Sequence, residues 1–159
     1  MLKAPILLTG LLVWAATDTL WWRTPGGSVT EQHDPGGATC TLALDGPHVR
    51  FAFAWSRSLP TRVIVSRPDW NLVPGQITSV ALRIGETWLT DGAGGPALAA
   101  LTDTQAVRFI PNQPIEPLLT GATGVALRVG NETLTVTLDS HRMAGLLHGL
   151  QRCRSAIGG

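Results

Sequence analysis

Residues 39–55 read TCTLALDGPHVRFAFAW. Cys40, Leu42 and Leu44 alternate with Thr39, Thr41 and Ala43, and Val49, Phe51, Phe53 and Trp55 alternate with Arg50, Ala52 and Ala54. A period of two sends successive side chains to opposite faces of a pleated strand, so each run reads as a half-buried strand. Asp45-Gly46-Pro47 between them is a turn signal. The segment predicts a β-hairpin with one apolar face.

Similar runs follow downstream. Arg62 to Arg67 (RVIVSR) predicts a third strand, ended by Pro68-Asp69-Trp70. Val73-Pro74-Gly75 turns into Ile77 to Ile84, where Val80, Leu82 and Ile84 share a face. Gly85-Glu86 leads into Thr87-Trp88-Leu89, and Asp91 to Pro96 reads as a loop. Residues 97–105 stay open: Ala97, Leu98, Ala100 and Leu101 suit a short helix, but glycine and proline precede them. Val107 to Ile110 reads as a short strand and Ile115 to Leu119 as one helical turn. Val125, Leu127 and Val129, then Leu134, Val136 and Leu138, predict a second hairpin around Gly130-Asn131.

Asp139 or Ser140 can cap a final helix, because a short side-chain oxygen accepts the free N–H groups of a first turn. Met143, Leu146, Leu147 and Leu150 then recur at helical spacing, the pattern of an amphipathic helix laid on a sheet. Arg152 and Arg154 fall where a helix C-terminus favours positive charge. Cys153 continues the apolar stripe and therefore points inward, as Cys40 does.

Upstream, Leu20-Trp21-Trp22-Arg23 is a first strand or an arm, and Pro25-Gly26-Gly27 and Asp34-Pro35-Gly36-Gly37 break the chain. About eight short strands and one helix predict a mainly β fold. It is an antiparallel β-sandwich or open barrel with the C-terminal α-helix packed on it. The expected divisions are a signal peptide (1–15), an N-terminal strand or arm and loop (16–38), and a single β-domain with its helix (39–154).

The leader reading rests on Lys3, the only lysine, followed by the uncharged run APILLTGLLVWAA at residues 4–16. Val13 and Ala15 suit signal peptidase, with cleavage after Ala15 or Ala16. The run is short of the roughly 20 residues of a spanning helix, so no membrane span is expected after cleavage. The alternative is a buried N-terminal element of a cytosolic domain. Export makes the chain periplasmic or secreted, and two cysteines there predict a Cys40–Cys153 disulfide, worth ~4–5 kcal/mol by chain entropy. Two free thiols are the alternative.

Charged residues make up 14 % of the chain and hydrophobic ones 44 %, which excludes disorder. Without Lys3, eleven arginines balance eleven acidic residues. A neutral domain has no electrostatic footprint for nucleic acid.

The catalytic inventory is sparse. His33, His48, His141 and His148 are dispersed, and the last two lie two helical turns apart, about 10 Å, too far for one metal ion. No metal or cofactor is expected. Ser56, Ser58 and Ser66 sit beside arginines, Ser140 and His141 are neighbours that point apart, and Asp45, Asp69, Asp91 and Asp103 suit turns. No catalytic residue is assigned.

Two residue classes suggest binding. Trp21, Trp22, Trp70 and Trp88 are not fixed in the core by phase and could stack on sugars or anchor a protein; core and rim packing is the bland alternative. Arg50, Arg62, Arg83 and Arg128 lie on strands out of phase with the apolar residues. On a shared outer face they could hold an anionic polymer, a lipid headgroup or an acidic partner. The alternative is a solvated face with edge charges.

The leader, Trp21-Trp22, Cys40-Thr41-Leu42, Pro68-Asp69-Trp70, Leu72-Val73-Pro74-Gly75 and the tail Leu138-Asp139-Ser140 with Leu146-Leu147, Leu150 and Cys153 together resemble a group of small exported proteins of proteobacteria. The layout is also similar to the invasion-associated locus B proteins, although this chain lacks their mid-chain cysteines. The resemblance covers residues 20–153 and implies an exported β-domain with no defined catalytic residue. The expected function is a non-enzymatic exported domain that binds a protein or envelope component. Two alternatives are a secreted protease inhibitor inserting a Trp21-Trp22-Arg23 arm, and a hydrolase whose His, Asp and Ser converge from separate loops.

Overall fold

The computed structural model describes residues 18–89, 97–101 and 104–158. The expected signal peptide and the Asp91 to Pro96 loop lie outside the described residues. The strands are β1 (Thr19–Thr24), β2 (Gly27–Asp34), β3 (Gly37–Asp45), β4 (Arg50–Ser56), β5 (Arg62–Ser66), β6 (Ile77–Ile84), β7 (Thr87–Leu89), β8 (Ala97–Leu101), β9 (Ala106–Phe109), β10 (Gly124–Val129) and β11 (Glu132–Thr137). The helices are α1 (Glu116–Leu119) and α2 (Ser140–Ile157). The strands form one antiparallel sheet in the order β1-β2-β3-β4-β5-β9-β8-β6-β10-β11, with β7 also on β6. The mainly β fold and its terminal helix are as expected. The sheet is single and open, so the sandwich alternative gives way.

Among the described residues eleven strands replace the roughly eight expected. The Leu20–Arg23 segment takes its strand reading as β1, residues 97–101 pair with β6 and β9 instead of forming a helix, and β2 occupies a stretch read as loop. Apolar alternation is weak in β2 for a physical reason. Its inward positions are Gly27, Val29 and Glu31. A Cβ on Gly27 would meet the Leu146 side chain at 2.7 Å. Any larger residue there would have to displace the Leu146 side chain of the helix.

The sheet coils back on itself. A Cβ on Gly46, in the β3–β4 turn, would lie 2.9 Å from Val136, and one on Gly26, in the β1–β2 turn, 3.4 Å from Leu138. Arg67, just past β5, pairs with Glu132 of β11. The last strand thus runs across the turn ends of the first five. Phe51, Phe53, Leu42, Leu44, Leu82, Ile115, Leu119 and Leu127 fill one continuous interior.

Helix α2 closes that interior over β1, β2 and β3. Asp139 caps its start by accepting the Arg142 N–H at 2.9 Å, and Gly158 ends it in the left-handed region that glycine tolerates (φ 78°). Met143, Leu146, Leu150 and Cys153 are buried. Cys153 is bonded to Cys40, 113 residues earlier, with the Cα atoms 6.0 Å apart.

Strand β1 is shaped to meet this helix. Its register against β2 slips between Leu20 and Trp22, leaving Trp21 as the extra residue of a bulge. Two adjacent tryptophans therefore both reach α2. Trp22 seats against Gly145 and Gly149: a Cβ on Gly149 would fall 2.5 Å from the Trp22 Cβ. Trp21 lies under the Arg152 guanidinium, 5.6 Å from its ring centroid, and donates to the buried Glu31 carboxylate at 2.8 Å.

In an open helix face, Gly149→Ala would add about 1 kcal/mol of stability through helix propensity. Here the collision with Trp22 reverses the sign. The expected outcome is a net loss of about 1–2 kcal/mol and a melting temperature lower by roughly 2–6 °C. In a Trp22→Gly background, which removes the Cβ that collides, the same change should stabilise; a stabilising Gly149→Ala in the native background would contradict the seat.

Candidate functional site

Strand order determines which of the candidate side chains meet. Arg83 of β6 stands directly opposite Trp88 of β7. On the other side of β6, Arg83 faces Ala126 and Ala81 faces Arg128 of β10. Arg83 and Arg128 are therefore diagonal neighbours on one outer face, separated by small side chains. Trp88 spans this low floor. The guanidinium carbons of Arg83 and Arg128 lie 5.6 and 5.4 Å from its ring centroid. Trp88 remains 44 % exposed. Thr133 stands opposite Arg128, and Thr135 opposite Ala126, on the edge strand β11.

Four of the described arginines pair with carboxylates. Arg50 pairs with Asp45, Arg67 with Asp69 and Glu132, Arg142 with Asp139, and Arg154 with Glu116. Among the described residues, neither Arg83 nor Arg128 has a carboxylate partner. A guanidinium held within about 6 Å of an indole centroid gains about 0.5–1 kcal/mol at an exposed site. The result is two cationic forks on one exposed aromatic ring.

The other sequence candidates go elsewhere. Arg50 is exposed on β4, and Arg62 starts β5 with its Nε buried and without a hydrogen-bond partner. The four arginines thus share no single patch. Trp70 is half-buried against the core. Trp21 and Trp22 belong to the β1–α2 contact, so the arm proposed for an inhibitor is a paired strand in this structure. Their seat had one readable signal, two glycines four apart on the inward side of an otherwise regular helix.

A cleft of about 540 Å³ lies between α1 and α2, floored by Leu147 and Leu150, but its Glu116 and Arg154 pair with each other. Beside the disulfide strand, Glu31 accepts from Trp21 and contacts His33 Nε2 at 2.5 Å. Among the described residues there is no group of three side chains able to hold a metal ion. No described helix is long and apolar enough to cross a membrane. No protein-family model, curated protein or solved structure matches the chain.

Arg67 forms a second charged group where β5 meets β11. Its hydrogen bond to Asp69, 2.8 Å from Nη2, holds that carboxyl below the usual aspartate range. A depressed folded pKa stabilises the fold above the unfolded value and loses that contribution as pH falls through the folded one. Asp69→Asn should therefore lower the melting temperature near neutral pH, and the gap to the native protein should narrow at acid pH, as the pH falls below the ordinary aspartate range. A gap of equal size at both pH values would contradict the pairing.

Proposed function

We propose that this chain is an exported, non-enzymatic binding domain that engages an acidic group on a protein or envelope component. The observation that carries the reading is the Arg83–Trp88–Arg128 group: two guanidiniums in cation–π contact with one exposed indole, with no carboxylate partner among the described residues. Aromatic and arginine side chains dominate the energetics of recognition surfaces. The leader pattern and the Cys40–Cys153 bond support an oxidising compartment, the periplasm or the cell exterior. The likeness to small exported proteobacterial proteins points the same way.

Expression of the full chain in a bacterium with an outer membrane tests both halves. The extracytoplasmic fraction should contain a chain beginning at residue 16 or 17, with no thiol alkylated before reduction. That protein should sediment with washed envelopes at low salt, and the Arg83→Ala/Arg128→Ala double variant should lose binding by at least about tenfold, or 1.4 kcal/mol. Retention of the leader in the cytoplasm would contradict export, and undiminished sedimentation would contradict the site.

A further inference from the structure

We infer that Arg83 and Arg128 together hold one phosphate monoester, with Trp88 as the platform that fixes both forks. The inference rests on the binding site proposed above and specifies its ligand. Three features of the site argue for it.

The first is the number of forks. Each guanidinium presents a planar set of N–H donors that matches two oxygens of an anion. A carboxylate has two oxygens and one charge, so a single fork satisfies it. A phosphate monoester has three terminal oxygens and carries close to two charges near neutral pH. It can occupy two forks at once. A diester has only two terminal oxygens and one charge.

The second is fixed geometry. Both guanidinium carbons lie within 5.6 Å of one ring centroid, which limits how far apart the two forks can be. Arginine otherwise gives up much rotamer freedom when it binds; here the indole has already restricted it. The third is the surroundings. Ala81 and Ala126 keep the floor low, and Thr133 and Thr135 on β11 add hydroxyl donors along the same outer face. The site is an exposed face, so the phosphate must project from its carrier, as it does at a lipid headgroup or at the end of a phosphorylated sugar.

The mature oxidised protein should be tested against phosphatidylcholine vesicles, alone or doped with phosphatidic acid (a monoester) or phosphatidylglycerol (a diester). Glucose 6-phosphate and glucuronate serve as soluble phosphate and carboxylate probes. Monoester ligands should bind at least about tenfold more tightly than the diester or the carboxylate. Affinity should rise between about pH 5 and 7 as the phosphate loses its second proton. Arg83→Lys/Arg128→Lys keeps the charge but removes both forks. It should abolish the monoester preference while Arg50→Lys leaves it intact, with unfolding curves confirming that each variant folds.

Binding to phosphatidic acid vesicles alone places the ligand on a membrane; binding of glucose 6-phosphate as well places it on soluble or glycan-borne phosphate. Equal binding of monoester and diester, or an unaltered preference in the double lysine variant, overturns the inference. Should no phosphate bind while the double alanine variant still loses envelope sedimentation, the phosphate assignment falls and the binding site stands. Should both tests fail, both fall.

Discussion

The covalent seating of α2 on the inner face of β1, β2 and β3 is the constraint on which the structure depends. The sheet is open, and β11 reaches only the turn ends of its first strands, so α2 covers their inward side chains elsewhere. Val29, Cys40, Leu42 and Leu44 are completely buried where the helix lies over that end of the interior. The Cys40–Cys153 bond ties the far end of the helix to β3, the third of these strands. Glycine makes the approach possible from both sides: Gly27 in the sheet admits Leu146, and Gly145 and Gly149 in the helix admit Trp22. The β1 bulge completes the fit by presenting two successive tryptophans to the helix.

The same closure determines where a ligand can go. Because the interior is filled and α2 covers one end of it, a ligand must use the surface, and the outer face of the sheet and the shallow cleft beside α1 are two such places. In the cleft, opposite charges pair with each other. On the outer face of β6, β7 and β10, two cations share an exposed aromatic ring, and the small residues between them leave it accessible. The coiling that lays β11 across the turn ends of β1 to β5 also holds β10 against β6, which brings Arg128 to Trp88.

Legibility in the sequence followed the range of the interaction. The β3–β4 hairpin, the β10–β11 hairpin and α2 were readable because burial on one face writes a period of two or of 3.6 directly into the chain. The disulfide was readable because the phases of Cys40 and Cys153 both pointed inward. Strand β2 was not, since its inward face trades apolar side chains for a glycine that admits Leu146 and a glutamate that serves Trp21. Two of the three residues of the candidate site were local: Arg83 and Trp88 face each other across a tight turn. Arg128 joins them only because β6 pairs with β10, a long-range choice that no periodicity encodes. The outward phase of Arg50 and Arg62 was equally clear, but phase reports a face and says nothing about position along it.

Urea unfolding of the native protein, oxidised against fully reduced, tests the central constraint most directly. A bond that joins the helix to the sheet across 113 residues restricts the unfolded chain strongly. The oxidised form should be more stable by roughly 3–5 kcal/mol, with a correspondingly higher midpoint. Coincident unfolding curves for the two forms would show that α2 is held without its covalent tie and would contradict the account.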